Sequence, residues 1–283
     1  MVRTILRILR RLDKIYIKNN YNSSMRIVSK IVDFSNHLQG KGATSVTISD
    51  EIRKLKYFLP DKLNIVIDVG GNIGDYSYEL IKSFEIHKLY IFEPSKISYE
   101  NLSKRFKDSS NIETINLGLS DKNTKEPFFA NFEGSPISSV YKRKLDHFNI
   151  DIKETEEIEL IKFNKFWEKD LNKKIIDFIK IDVEGHEFFV LKGLEDSLNS
   201  IKVIQFEFGG TMIDSRTFFQ DFYYFFTKND FEIYRIKPIG LQKLDEYKET
   251  DEYFKYSNFI AVNKKLSFIW NNFQNYLHIW DDK

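Results

Sequence analysis

The segment that decides the fold is residues 64–77, which read NIVIDVGGNIGDYS. The apolar, β-branched run from Asn64 to Val69 predicts a buried strand. It leads into a turn with glycines at positions 70, 71 and 74, and the residues after Gly74 predict a helix. Glycine permits positive φ angles and lets a ligand approach the backbone closely, and the first turn of a helix offers free backbone N–H groups. The segment therefore predicts a nucleotide-type binding loop.

The spacing within this loop separates three kinds of ligand site. A phosphate-binding P-loop requires lysine and then serine or threonine after its last glycine, whereas Gly74 is followed by Asp75 and Tyr76. A dinucleotide loop has the spacing G-x-G-x-x-G, which the three glycines here do not match, and the carboxylate of Asp68 would repel a pyrophosphate. The third pattern, D-x-G-x-x-x-G, binds S-adenosylmethionine (SAM). Because the ammonium and sulfonium groups of SAM are cationic, Asp68 is electrostatically favourable beside them.

A second acidic residue follows at the end of the next predicted strand. Residues 88–95 read KLYIFEPS, and Glu93 lies close to the ~20 residues beyond the glycine loop at which such folds carry a ribose-binding acid. A carboxylate can accept hydrogen bonds from both ribose hydroxyls. Two acids on consecutive strands therefore favour an adenosyl site, and the alternative is a pair of structural carboxylates at strand ends.

Short apolar runs alternate with longer amphipathic stretches from Leu63 onward, which predicts βαβ units, a parallel sheet and an α/β fold. The runs are apolar at both odd and even positions, as in strands that helices cover on both faces. The predicted strands are 64–69, 88–92, 112–117, 178–183 and 203–208, and the predicted helices are 76–84, 98–107 and 187–198.

Residues 121–170 interrupt this alternation. We interpret them as an insertion near the site, with strand-like segments at 126–131 and 157–163 and a lid at 134–139. An aromatic helix at 218–226 and an antiparallel pair, 231–236 and 259–262, close the predicted domain. We expect three parts: a helical extension over residues 1–60, the α/β domain over 61–265 and an aromatic helical tail over 266–283.

The composition excludes several classes of protein. Lys and Arg number 43 against 42 Asp and Glu, so the chain has no global basic field and is not expected to bind nucleic acid. The absence of cysteine removes disulfides, cysteine–zinc sites and cysteine nucleophiles. No apolar run approaches the ~20 residues that span a bilayer.

Residues 1–18 predict a basic amphipathic helix, because arginines interrupt the apolar core of ~7–15 residues that a signal peptide needs. Such a helix either docks its apolar face on the protein or binds a membrane surface or a partner. We expect a cytoplasmic protein whose only membrane association is peripheral. We also regard this helix and the aromatic tail as candidate surfaces for a homo-oligomer.

Five stretches of the sequence, in order, resemble the FkbM family of SAM-dependent methyltransferases. They cover roughly residues 63–210 and are IDVGGNIG (67–74), IFEPS (91–95), NLGLSD (116–121), IKIDVEGHE (179–187) and IQFEF (204–208). The block at 181–187 is distinctive for the family, whereas many class I methyltransferases share the glycine loop. One departure is Gly71, where the family usually has alanine, and we expect it to make the loop more flexible without abolishing binding.

This resemblance implies the class I methyltransferase fold, a Rossmann-like, mostly parallel seven-stranded sheet with one antiparallel strand. It implies methyl transfer to a hydroxyl of a small molecule, sugar or glycan. Two other functions stay open: N- or carboxyl-methylation, and a catalytically silent domain that binds SAM or a partner as a scaffold. The resemblance also places residues 118–120 beside adenine. The predicted cofactor-binding residues are Asp68, Gly70, Gly71, Asn72, Gly74, Ser77, Glu93, Pro94, Ser95, Gly118, Leu119, Ser120 and Asp182.

The distinctive block carries the predicted catalytic chemistry. Alternation along a strand places Lys180, Asp182 and Glu184 on one face, and Glu207 ends the next strand. Because ligands of open α/β sheets bind beyond the carboxyl ends of the strands, these acids should meet there with His186.

An alcohol is a poor nucleophile, so its methylation needs a proton acceptor. His186 is the predicted base, since an ordinary histidine pKa of ~6.5 suits that task, and the alternative is a structural histidine. We expect Asp182 beside the methionine part of SAM or beside the acceptor. Glu184 and Glu207 could orient His186, hold sugar hydroxyls, or join Asp182 in binding a divalent ion such as Mg²⁺.

Overall fold

The computed structural model describes residues 25–42 and 46–266. The predicted helix at 1–18 and the predicted tail beyond residue 266 lie outside these ranges. The helices are α1 (25–38), α2 (Ile48–Leu55), α3 (Asp75–Ser83), α4 (Lys96–Phe106), α5 (Phe163–Lys169), α6 (Glu187–Gly193), α7 (Met212–Ser215) and α8 (Phe219–Lys228). The strands are β1 (Lys62–Val69), β2 (Glu85–Phe92), β3 (Ile112–Ile115), β4 (Gly118–Leu119), β5 (Thr124–Ala130), β6 (Lys153–Ile161), β7 (Ile176–Ile181), β8 (Ile201–Phe208), β9 (Phe231–Ile236), β10 (Leu241–Lys243) and β11 (Ser257–Asn263).

The main sheet has the order β10-β9-β11-β8-β7-β1-β2-β3. Strands β3, β2, β1, β7 and β8 pair in parallel, which confirms the predicted α/β core. Strand β11 is antiparallel to both β8 and β9, so the predicted closing pair is also confirmed. Within residues 46–266 the sheet nevertheless has eight strands instead of the seven expected. The turn at Gly240, whose φ is 73°, folds β10 back onto β9 as an additional antiparallel edge strand.

Apolar residues on both faces of the central strands explain why the sheet is buried between two helical layers. Val66 and Phe178 pack on one face with α2, α3 and α4, and Ile67 and Ile179 pack on the other with α5, α6 and α8. All four side chains are fully buried. The strand ends are therefore the parts of the central strands left free to build a site.

Helix α2 belongs to the predicted N-terminal extension, yet it packs directly on the sheet. Thr47 caps its first turn through a capping box with Asp50. Ile52 and Leu55 are fully buried in the same cluster as Val66. This part of the extension is thus continuous with the α/β core, and the outer limits of the three predicted parts stay predictions.

The predicted insertion forms a second sheet of order β4-β6-β5. Strands β5 and β6, which overlap the two strand-like segments, pair antiparallel, and β4 joins β6 in parallel. Glu156 of β6 accepts hydrogen bonds from the hydroxyl of Ser95 (2.7 Å) and the N–H of Lys96 (3.0 Å) at the start of α4. The insertion is therefore attached to the carboxyl edge of the main sheet.

No helix in residues 25–42 or 46–266 has the length and apolar character needed to cross a membrane.

The packing of the glycine loop corrects our interpretation of Gly71. A Cβ atom at this position would lie 2.2 Å from Cγ2 of Ile91 and 3.7 Å from Cδ2 of Leu102. Because Ile91 is a fully buried, β-branched residue of β2, it cannot move aside easily. The glycine is therefore required for close contact between the loop and the sheet, and added flexibility does not explain it.

We expect Gly71→Ala to destabilise the protein by about 1–3 kcal/mol, because it overpacks a closed space. Ile91→Ala should cost about 2–5 kcal/mol through the cavity that it leaves. The double variant should cost clearly less than the sum, since the new methyl group then has room. Urea unfolding of the four proteins measures this cycle, and additive costs would contradict the packing argument.

Candidate active site

A cavity opens at the carboxyl edge of the main sheet, where β1, β2 and β7 end beside β4. It contains about 600 Å³ of empty space, part of which is open to solvent. Ten of the residues predicted from the sequence line it: Gly70, Asn72, Glu93, Pro94, Ser95, Gly118, Leu119, Asp182, Glu184 and His186.

Six other predicted residues do not line this cavity: Asp68, Gly71, Gly74, Ser77, Ser120 and Glu207. The insertion supplies wall residues that the motifs did not identify, among them Phe128, Ile158 and Leu160. Ser135, Pro136 and Ser138 of the predicted lid also line it, although lid movement stays a prediction. The only sequence signal for these contacts was the position of the insertion between two site motifs.

Glu93 joins the glycine loop to the end of β2. Its Oε2 accepts a hydrogen bond from the N–H of Asn72 and its Oε1 accepts one from the N–H of Ser95, both at 2.8 Å. Burial raises the pKa of Glu93 to about 7. Each carboxylate oxygen keeps a further lone pair, so Glu93 can still accept hydrogen bonds from hydroxyl groups of a ligand.

Asp68 lies beneath the loop, away from the cavity, and is fully buried. The hydroxyl of Ser77 donates a hydrogen bond of 2.6 Å to its Oδ2, and the ammonium of Lys180 lies 4.0 Å from its Oδ1. Burial raises the pKa of Asp68, and Lys180 opposes that shift. Asp68 is held by Ser77 and Lys180 and does not line the cavity, so it does not contact the space in which a ligand would lie. A contribution to cofactor binding through the loop stays a prediction.

Lys180 provides the positive charge of this edge. Its ammonium donates a hydrogen bond of 2.9 Å to Asp182, and its side chain is only 8% exposed. Although burial opposes the ionisation of Asp182, the charge of Lys180 prevails and lowers its pKa. Asp182 is therefore an ionised carboxylate in the cavity wall.

The pKa values of Glu184 and Glu207 are shifted in the opposite direction to that of Asp182. Burial, with the charge of Asp182 adding to it, raises the pKa of Glu184 to about 8, although Arg143 lies 3.4 Å from its carboxylate. The same two causes raise the pKa of the buried Glu207 well above its ordinary value. Of these three acids, Asp182 is ionised and Glu184 retains its proton near neutrality, and the pKa of Glu207 is shifted in the same direction as that of Glu184.

The predicted Mg²⁺ site does not fit this arrangement. Among the described residues, no group of three or more histidine, aspartate and glutamate side chains is arranged to hold a metal ion. Asp182 is paired with Lys180, and Glu184 lies beside Arg143. The cations that balance these acids are therefore side chains of the chain itself.

His186 lines the cavity, but both of its ring nitrogens are engaged. Nε2 lies 2.9 Å from the hydroxyl of Ser120 and Nδ1 lies 2.9 Å from the hydroxyl of Tyr141. The ring stacks on Phe189 with centroids 4.8 Å apart, and burial lowers the pKa of His186 to about 4. The premise that His186 has an ordinary pKa is therefore wrong, whereas its role as the base stays a prediction. Tyr141, which holds one nitrogen, carried no motif in the sequence.

The strand order, the glycine loop, the acid at the end of β2 and the acidic end of β7 define the class I methyltransferase arrangement. The sequence pattern of the Methyltransferase FkbM domain family matches residues 68–233, more than half of the 283 residues. The chain belongs to this family. The predicted family is thereby confirmed, and with it a methyltransferase domain of the SAM-dependent class.

Individual relatives have low sequence identity to this chain. Methyltransferase sdnD of Sordaria araneosa is 28% identical over 156 residues, which are 46% of this chain and 60% of that protein. Hexuronic acid methyltransferase AglP of Haloferax volcanii is 27% identical over 143 residues, 50% of this chain and 54% of that protein. The chain thus covers less than two thirds of the length of these curated relatives. The crystal structure of methyltransferase FkbM from Methylobacillus flagellatus aligns with a TM-score of 0.45 at 15% identity, over 83% of this chain and 60% of that one.

The neutral state of His186 has a measurable effect on stability. The unfolded chain takes up a proton near the ordinary histidine pKa of 6.5, whereas the folded chain does so only near 4. Acidification between these values therefore favours unfolding, by about 2 kcal/mol at pH 5 from this residue alone. The variant His186→Gln lacks this titrating group. As the pH is lowered from 7 to 5, we therefore expect the free energy of unfolding of the variant to rise relative to that of the wild type.

Urea unfolding at a series of pH values measures this difference, in which the shared titration of the buried carboxylates cancels. A constant difference between wild type and variant would mean that His186 titrates alike in the folded and unfolded chains.

Proposed function

We propose that this chain transfers a methyl group from SAM to a hydroxyl oxygen of a small molecule or glycan. The observation that carries the proposal is the composition of one cavity wall. Beside the glycine loop it presents an ionised Asp182 and, two residues on, Glu184 with a raised pKa. Carboxylates of these two kinds suit a cationic cofactor and an acceptor that must lose a proton.

The cavity has residues that fit SAM. Glu93 would accept hydrogen bonds from the ribose hydroxyls, and the ionised Asp182 would face the cationic end. Gly118, Leu119 and Leu160 line an apolar part of the cavity, which is where we place adenine. A Cβ atom at Gly118 would lie 2.4 Å from Cδ2 of Leu160, so glycine lets this wall side chain pack closely against the backbone. Bound SAM supplies an electrophilic methyl group on a positively charged sulfur. The protein then has mainly to position the acceptor oxygen and remove its proton.

Glu184 replaces His186 as our proposed base. A carboxylate whose pKa lies near 8 accepts a proton more readily than an ordinary carboxylate, and Glu184 lines the cavity. Its backbone is left-handed, with a φ of 52°, and the hydroxyl of Ser139 donates a hydrogen bond of 2.7 Å to its carbonyl oxygen. Such a backbone is uncommon outside glycine and directs this side chain from the end of β7. His186, whose pKa is about 4, would be a far weaker base.

The same wall bears on the choice of acceptor. An ionised Asp182 beside Glu184 would repel an acceptor carboxylate, so we favour a hydroxyl over a carboxyl group as the methylated site. The relative named for hexuronic acid supports a sugar as the acceptor. An amine is the second candidate, because the acidic wall would also attract it.

The first test is cofactor binding. Calorimetric titration with S-adenosylhomocysteine, the product form of SAM, should give one site per chain. Glu93→Gln should raise the dissociation constant about tenfold, equivalent to ~1.4 kcal/mol, because an amide N–H₂ would face one of the two backbone N–H groups. Glu85→Gln, at the exposed start of the same strand, should leave it unchanged. Equal affinities in wild type and Glu93→Gln would contradict the role of Glu93.

The second test is the pH dependence of methyl transfer, with labelled SAM and a set of sugar nucleotides and glycans as acceptors. The rate should rise with pH as far as about 8, because Glu184 must lose its proton before it can accept another. Glu184→Gln should reduce the rate at least ~100-fold and abolish the rise, whereas His186→Gln should keep the rise.

A rise that persists in Glu184→Gln would exclude Glu184 as the base. Cofactor binding without transfer to any hydroxyl, amine or carboxyl acceptor would favour the silent scaffold.

A further inference from the structure

Helix α2 contains a buried carboxylate for which neither the family match nor the motifs account. The matched residues begin at 68, and α2 ends at Leu55. Glu51 of this helix is 5% exposed, although Arg53, two residues further on, has a side chain that is 72% exposed. Burying a carboxylate is costly unless hydrogen bonds compensate for the lost water, so its partners decide what Glu51 does.

Both oxygens of Glu51 are bound by side-chain amides of the main sheet. Oε2 accepts a hydrogen bond from Nε2 of Gln205 on β8, and Oε1 accepts one from Nδ2 of Asn258 on β11, each at 2.7 Å. The other end of the Gln205 amide, Oε1, accepts a hydrogen bond of 2.7 Å from the hydroxyl of Tyr76. Glu51 therefore selects the orientation of Gln205 that presents an acceptor to Tyr76.

Tyr76 connects this network to the cofactor cavity. It lies in the first turn of α3, directly after the glycine loop, and is 6% exposed. The ammonium of Lys180 lies 4.7 Å from the centre of its ring, a favourable cation–π distance. The same ammonium donates to Asp182 in the cavity wall. Contacts between side chains thus connect α2 with the cavity. They run from Glu51 through Gln205 and Tyr76 to Lys180, and so reach both the helix after the glycine loop and the wall that contains Asp182.

We infer that Glu51 is a positioning residue of the cofactor site: through Gln205 and Tyr76 it holds the start of α3 and the ammonium of Lys180 in the arrangement that binds SAM. The inference rests on the proposed function for the identity of the ligand. Loss of Glu51 removes the acceptor of the Gln205 amide and one of the two acceptors of the Asn258 amide, and Gln205 is then free to turn away from Tyr76. Since a preorganised site binds more tightly than one that must be ordered on binding, the cost should appear as lower affinity.

The experiment is a titration of the full chain with S-adenosylhomocysteine, followed by calorimetry, together with thermal unfolding. Glu51→Ala should raise the dissociation constant about tenfold while the stoichiometry stays near one. Glu51→Gln should recover most of the affinity, because its amide can still pair with Gln205 or Asn258 once one of them reorients. Ile52→Ala is the matched control, since Ile52 is the adjacent, fully buried apolar residue of the same helix.

The control distinguishes positioning from simple stability. Ile52→Ala should lower the unfolding temperature and leave the dissociation constant within about twofold of the wild type at a temperature where both are folded. Tyr76→Phe, which removes only the hydroxyl that binds Gln205, should weaken binding severalfold. It should add little to Glu51→Ala, because both changes break one network.

Unchanged affinity in Glu51→Ala, or equal weakening in Ile52→Ala, would overturn the inference. If Glu51→Ala does not fold, unchanged affinity in Tyr76→Phe would overturn it in the same way. A wild-type chain that does not bind S-adenosylhomocysteine would instead overturn the proposed function.

Discussion

The buried ammonium of Lys180 is the interaction on which the rest of the site depends. Three acids lie at the ends of three neighbouring parallel strands: Asp68 and Glu207 stand one residue before the ends of β1 and β8, and Asp182 one residue after the end of β7. Without a cation between them, ionised carboxylates in that position would repel one another. Lys180 keeps Asp182 ionised, whereas burial and that same ionised acid raise the pKa values of Glu184 and Glu207. One lysine thus creates acids of two kinds on one rim.

The different ionisation of these acids connects the fold to the proposed methyl transfer. An ionised Asp182 suits a cationic ligand, and a Glu184 that releases its proton only near pH 8 suits the removal of a proton from an acceptor. Two sets of contacts hold the arrangement: Glu93 binds the N–H of Asn72 in the glycine loop, and the Glu51 network reaches Tyr76 at the start of α3. The second support comes from α2, so the residues before the family match are integrated with the site.

The sequence predicted some of these features well and others poorly, and the reason is the range of the interactions. The strands were identified from the periodicity of hydrophobic residues, the glycine loop from the spacing of its glycines, and Glu93 from its position at a strand end. All three are local properties of the sequence. The premise of an ordinary pKa for His186 was wrong because burial lowers that pKa, and the groups that surround the ring include Ser120 and Tyr141, which are distant in the chain. Gly71 was misinterpreted because the atom that excludes a side chain belongs to Ile91 on the next strand.

The sequence by itself determined the α/β alternation, the family and the acids that gather at one edge, because each is written in consecutive residues. Only the tertiary structure decided which acids are ionised, which residues face the cavity and that Glu51 takes part. Those properties follow from desolvation and from contacts between strands and helices far apart in the chain. The additional strand β10 has a similar origin, since a short segment becomes a strand only where a neighbouring edge is available for pairing.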